Sequence, residues 1–159
     1  VNWGALDYLV VDLPPGTGDV PLSISQQIRS SGAVLVTTPQ DVSLADVLKA
    51  KLMFDKVNIP ILGMVENMSN FICPHCHQAT PIFDTGGGRR ACDAMGLPFL
   101  GEIPLDLAVR QGGDQGVPIV EGQPDSPQSK AFVEMARNIA GQVSRRAVDV
   151  KGPVLGQPG

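Results

Sequence analysis

The stretch LDYLVVDLPPGTGD, residues 6–19, constrains this chain more than any other. Leu6, Tyr8, Leu9, Val10 and Val11 form a short, nearly continuous apolar and β-branched run. Such a run suits a strand buried on both faces of a parallel sheet rather than one with a wet side. Asp12 closes the run, and Pro14, Pro15, Gly16 and Gly18 follow at once, so the chain must turn sharply at the strand's carboxyl end. In open α/β sheets that end is where ligands bind, so Asp12 is either a loop cap or a ligand-facing carboxylate.

Strand and helix patterns then alternate. Residues 20–29 read as a helix with Leu22, Ile24 and Ile28 on its apolar side, stopped by Ser30, Ser31 and Gly32. Residues 33–38 (AVLVTT) read as a second buried strand. Ser43 with Asp46 suggests a capping box that opens a helix reaching Lys56. A third strand is expected over residues 60–65, a short helix over 89–95, a fourth strand over 98–103 and a helical turn over 105–111. Residues 112–127 read as loop. The clearest helix spans 129–146, with Phe132, Met135, Ala136, Ile139, Ala140 and Val143 on one stripe. These elements imply an α/β fold, a parallel sheet with helices on both faces joined by right-handed crossovers. Residues 1–146 form one incomplete domain with an insertion at about 68–88. Glycine and proline dominate residues 147–159, which read as a disordered tail.

The net charge of -4 and the scattering of Lys and Arg offer no basic surface for nucleic acid or an anionic membrane. No apolar run approaches the roughly 20 residues of a membrane-spanning helix. Three cysteines, two of them three apart, point to thiol or metal chemistry in a reducing compartment rather than a disulfide framework, and the cytoplasm is the expected location.

Chemistry concentrates in Cys73-Pro74-His75-Cys76. Two cysteines at this spacing on a turn direct both sulfurs toward one ion, and thiolate pairs bind zinc or an iron-sulfur cluster. A complete site generally takes four ligands and no second CxxC occurs, so either other residues complete it or two chains contribute a pair each. Cys73, Cys76 and His77 also spell the attachment signature of c-type haem, which needs export and has no cytochrome-like surroundings here. A mononuclear zinc completed by His75, His77 or Cys92 is the chemically reasonable rival. A thioredoxin-like pair needs its CxxC at the start of a helix, which this loop does not offer. Cys92 reads as a small buried hydrophobe on a helix.

Five stretches together resemble one family. They are LDYLVVDLPPGTGDVPLSISQ, TTPQDVSLADV, GMVENMSNFICPHC, the run Gly86, Gly87, Gly88, and LGEIPLDLAVRQGGDQGVPIV. In this order they resemble the Walker B and switch region and the following segments of Mrp/ApbC proteins, the iron-sulfur cluster carrier ATPases related to ParA and MinD. The resemblance runs from Trp3 to about Val143. It implies a P-loop NTPase fold of the ParA/MinD type, and it makes this chain the carboxyl-terminal part of a longer protein, because the glycine-rich loop ending in Lys-Ser/Thr is absent from these residues. It further implies that Cys73 and Cys76 ligate a 4Fe-4S cluster bridging a homodimer, that the cluster passes to recipient apoproteins, and that the full-length protein binds ATP and magnesium and hydrolyses ATP. This fragment alone is expected to be inactive. The alternative is a non-enzymatic, zinc-stabilised adaptor with the same fold.

On the nucleotide side, Asp12 ends its strand as the carboxylates of P-loop enzymes do near magnesium. Asp19 orders the switch loop or caps the helix that follows. Asn67 resembles the asparagine that reads adenine in ParA-like ATPases, where an amide both donates to and accepts from the base edge, although an Asx turn leaving the strand explains it equally well. Pro104, in GEIPLD, would pack on the base. Arg110 and Asp114 match family positions and equally suit a surface salt bridge. Gly86 to Gly88 lack a following Lys-Ser/Thr and read as flexibility beside the CxxC loop. Asp84 and His77 stand where the family often has small residues.

Overall fold

The computed structural model describes residues 2–14, 18–28, 30–73, 75–76 and 78–150. Expectations placed on residues 15–17, on the side chain of Asp19, on His77 and on residues 151–159 lie outside that set.

The centre of the fold is β2, Ile61–Ile72, rather than residues 6–11. Its first half runs parallel to β1, Ala33–Thr37, and its other edge runs parallel to β4, Phe99–Leu105. Its last two residues pair antiparallel with β3, Ala79–Thr80. Period-two alternation along β2 sends Met64 to one face and Val65 to the other, and each finds a helical layer. On the first face, Leu35, Met64 and Ile59 pack with Val47, Met53 and Phe54 of α2, Asp41–Lys56, and with Cys92 of α3, Gly87–Met95. On the second, Val65, Leu100 and Ile103 receive Phe132, Met135 and Ile139 from α6, Pro127–Val150. The expected α/β sheet covered on both faces is present, and the apolar stripe of the last helix is its second cover.

Several expectations are corrected. Residues 6–11 form no strand: Leu6, Tyr8, Leu9 and Val11 are about half exposed and Val10 is 90% exposed. An apolar run states what a segment is suited to bury against but cannot supply the neighbour, and among the described residues no strand pairs with it. The helix after it, α1, spans Asp19–Gln27. The proposed capping box at Ser43 is not used. Helix α2 begins two residues earlier, at Asp41, and the Ser43 hydroxyl instead takes a 2.7 Å bond from the Thr38 hydroxyl, tying the helix to the end of β1. Asp46 pairs with Lys49 on the surface. The third strand continues seven residues past Val65. The expected loop at 112–127 holds the end of α4, Leu107–Gln115, and a short α5, Ile119–Gly122. Helix α6 continues to Val150, so residues 147–150 belong to it rather than to a tail.

Candidate metal-binding hairpin and nucleotide edge

Because β2 outruns β1, its end continues past that strand, still beside β4 at Phe71, and turns back through β3, which makes the inserted segment a small hairpin. Phe71 faces Thr80 and Ile72 faces Ala79 in register, and the Cys73 N–H donates to the Gln78 carbonyl at 3.0 Å. Both cysteines of the CxxC therefore sit in the turn, Cys73 half-buried and Cys76 exposed. The Cys73 thiol is drawn below its ordinary range, first by the Cys76 backbone N–H, then by the His75 N–H and the Cys76 thiol. Those donors favour the Cys73 thiolate, and the Cys76 thiol that contributes to them lies beside it. His75 is exposed. Among the described residues no group of three or more His, Cys, Asp or Glu side chains converges as a metal site. Cys92 is far from such a role: it is 1% exposed on α3, its sulfur lies 3.7 Å from the Pro98 carbonyl, and burial pushes its thiol up. It packs as the small hydrophobe that the sequence suggested.

The return limb of the hairpin is built from glycines. Asp84 adopts φ 94°, where glycine is favoured, and its carboxylate takes a 3.2 Å bond from Arg90, which also donates to the Thr85 carbonyl at 2.6 Å. The Thr85 N–H, and after it Arg90, hold the Asp84 carboxyl below its usual range. Gly86 is left-handed and Gly87 opens α3. This run is not a flexible spacer. Gly87 and Gly88 are buried, and a Cβ on Gly88 would stand 2.9 Å from Oε2 of Glu66, while one on Gly87 would overlap the backbone carbonyl of Pro39.

Glu66 is the residue that motif reading passed over. It is 1% exposed in the middle of β2, and its Oε2 accepts the Gly88 N–H at 2.5 Å. Helix α3 has no side-chain cap of its own, so a carboxylate from another element satisfies its first turn and complements its positive end. The signal was available: an acid inside the apolar strand ILGMVE must have a partner if buried, and glycines opening a helix leave room for one.

The nucleotide-side candidates separate. Asn67 on β2 stands opposite Ile103 on β4, next to Pro104, so these two share one edge of adjacent strands, Asn67 midway along β2 and Pro104 near the end of β4. The Asn67 side chain accepts the Met68 N–H at 3.0 Å where Met68 takes φ 57° and the β2–β4 register shifts. The asparagine thus marks a bulge inside the strand, not a turn leaving it. Asp12 lies exposed in the irregular segment outside the sheet and is not brought to that edge. Arg110 and Asp114 make an exposed i,i+4 ion pair at 2.5 Å, the surface salt bridge offered by the sequence. Asp106 caps α4 through the Ala108 N–H at 2.6 Å and takes a 2.7 Å bond from Gln128 of α6, fixing the loop after β4.

A mostly parallel sheet with helices on both faces, and an appended CxxC hairpin, define an α/β protein of the ParA/MinD-like P-loop NTPase class. Solved structures agree: a nucleotide-binding protein from Archaeoglobus fulgidus in complex with ADP superposes with TM-score 0.68 at 39% identity, over 82% of this chain and 52% of that one. The cell division ATPase MinD of Pyrococcus furiosus follows with TM-score 0.56 at 32% identity, over 77% of this chain and 45% of that one. Residues 1–140 match the family described as "ParA: NUBPL iron-transfer P-loop NTPase", and the chain belongs to that family. It is 55% identical over 139 residues to the Arabidopsis thaliana "Iron-sulfur protein required for NADH dehydrogenase, mitochondrial", and 52% identical to the mouse "Iron-sulfur cluster transfer protein NUBPL". Each match covers 87% of this chain and 44% of the relative, so the chain spans less than half the length of these relatives. A Synechocystis "Iron-sulfur cluster carrier protein" is 50% identical over 149 residues, 93% of this chain and 42% of that protein. Among the described residues no helix is long and apolar enough to cross a membrane.

Proposed function

We propose that this chain is the cluster-bearing part of an iron-sulfur carrier, which holds a 4Fe-4S cluster between the Cys73 and Cys76 pairs of two chains and passes it to apoproteins. The observation that carries this reading is the hairpin turn: two sulfurs converge at a projecting, accessible tip, and one chain brings only two of the four thiolates that such a cluster takes. A second copy of the same turn completes the set, so the homodimer forms through the CxxC hairpins and the cargo is its cement. An accessible tip also suits transfer, because incoming thiolates of a recipient can replace the carrier's ligands one at a time.

In the full-length protein, ATP binding and hydrolysis reset the dimer. Asn67 and Pro104 hold the adenine edge, and Asp12 is a hard carboxylate donor of the kind magnesium takes. Magnesium would neutralise phosphate charge there, while the phosphate-loop lysine and amides must come from residues beyond this chain. The reduced thiols suit a reducing compartment, the cytoplasm by default.

The test is iron and sulfide analysis combined with mass determination in solution on the anaerobically reconstituted full-length protein. The expected result is about four irons per two chains, as one bridged cluster requires. Cluster should be lost in Cys73→Ser and Cys76→Ser alike and retained in Cys92→Ser. One zinc per monomeric chain, with no cluster taken up, would overturn the carrier reading in favour of the adaptor.

A further inference from the structure

We propose that Glu66 is the positioning residue of the CxxC hairpin: its buried carboxylate seats the Gly88 amide, so that the chain leaves the sheet at the end of β2 and rejoins the body of the fold at the start of α3, two fixed points. The inference rests on the reading of that hairpin as the cluster-bearing element. The outgoing limb is β2 itself, paired on both edges as far as Glu66 and again at Phe71, which β3 and β4 flank. The returning limb enters at Gly87 and Gly88, and there it is wedged. Pro39, fully buried in the loop after β1, lies against Gly87, and Glu66 lies against Gly88. Neither glycine can carry a side chain without displacing one of these neighbours.

A buried acid is a poor way to stabilise a strand. Met64 and Val65 beside it show that this part of β2 is otherwise apolar, and a hydrophobe of similar volume would avoid the desolvation of a carboxylate. What Glu66 does that a hydrophobe cannot is hold one backbone amide, 22 residues along the chain, at 2.5 Å. The bond closes the loop that contains both cysteines. A second clasp, Arg90 on Asp84 and Thr85, lies at the surface, where such contacts contribute little. The β2–β3 ladder and the Cys73–Gln78 bond fix the spacing of the limbs at the tip; Glu66 fixes where the returning chain docks on the body of the fold, and therefore the aim of the hairpin toward a second chain. Glu66 touches neither sulfur nor cluster. It acts through the hairpin.

The experiment measures loss of cluster to an iron chelator from the anaerobically reconstituted full-length protein. Glu66→Met keeps the volume and removes the acceptor; Glu66→Gln keeps an acceptor oxygen; Met64→Ala destabilises the same strand and leaves both partners of the Glu66–Gly88 bond in place. Release from Glu66→Met is expected to be roughly five-fold faster than from wild type, the factor that one lost hydrogen bond represents. Glu66→Gln should release near the wild-type rate, and so should Met64→Ala despite its lower melting temperature. Nucleotide affinity should stay within about two-fold of wild type in both Glu66 variants, as expected when no nucleotide contact is lost. Wild-type release from Glu66→Met, or equally fast release from Met64→Ala, would overturn the assignment. Should Glu66→Met fail to fold, Gly88→Ala crowds the same contact with the carboxylate in place: fast release supports the proposal and wild-type release refutes it. If wild type itself takes up no cluster, the cluster reading has failed. Amide hydrogen exchange over residues 73–86 of the apoprotein then decides the role of Glu66 alone, with faster exchange in Glu66→Met supporting it and unchanged exchange refuting it.

Discussion

Val10 and Met64 look alike to a sequence reader, since each lies within an apolar run suited to a buried strand, yet their environments are opposite. Val10 is 90% exposed in an irregular segment and Met64 is 0% exposed at the centre of β2, packed among Leu35, Phe54 and Cys92. Truncation to alanine should separate them in the 159-residue chain. Were Val10 in a closed sheet, losing two methyl groups would cost about 1.6 kcal/mol in transfer alone, before any cavity. At its observed exposure the change should fall within about 0.5 kcal/mol, as for surface substitutions generally. Met64→Ala removes three heavy atoms from a site with no exposed surface and should cost about 2 to 5 kcal/mol, depending on how far the helices relax into the space. That is a large share of the roughly 5 to 15 kcal/mol that holds a domain together. Urea unfolding followed by far-UV circular dichroism reads both. A Val10→Ala variant as destabilised as Met64→Ala would show that residues 6–11 are packed into the sheet in solution, and would refute their placement outside it.

The cysteines should differ in reactivity: in the apoprotein, donors to Cys73 lower its pKa and burial raises that of Cys92, so alkylation of Cys73 should begin below the pH typical of a free thiol and that of Cys92 above it. Mass-resolved alkylation across a pH series checks this, and earlier labelling of Cys92 would contradict it. Asp106→Ala removes the cap of α4 and leaves Gln128 without its acceptor, and should cost about 1 to 2 kcal/mol in the same urea assay. Arg110→Ala, which breaks only an exposed ion pair, should cost less than about 1 kcal/mol, and a larger loss would mean that the pair is buried by something else. The 159-residue chain should show no ATP turnover above background, since no Lys-Ser/Thr glycine loop occurs in it, and turnover abolished by Asp12→Asn would prove that expectation wrong.

Periodicity and motif spacing, which are local, were enough to specify most elements of this protein. The strand at 33–37, the helices flanking it, the apolar stripe of α6 and the small hairpin around Cys73 and Cys76 can each be read from a few neighbouring residues. So can the family, because five motifs in fixed order are a linear property. The metal candidates were legible for the same reason, two thiols three residues apart. Tertiary structure decided whatever depends on a distant partner. It left residues 6–11 out of the sheet, because an apolar run cannot provide its own neighbouring strand. It turned Ser43 from a helix cap into a tether for Thr38, and it extended β2 far enough to carry the hairpin beyond β1. It also converted Gly87 and Gly88 from a flexible linker into a tight seat. Glu66 is the clearest case: in the sequence it is one acid after an apolar run, and its meaning depends on an amide 22 residues away that only folding brings within 2.5 Å. Burial makes that single contact obligatory, since a carboxylate withdrawn from water must find a donor, and no local pattern states which one.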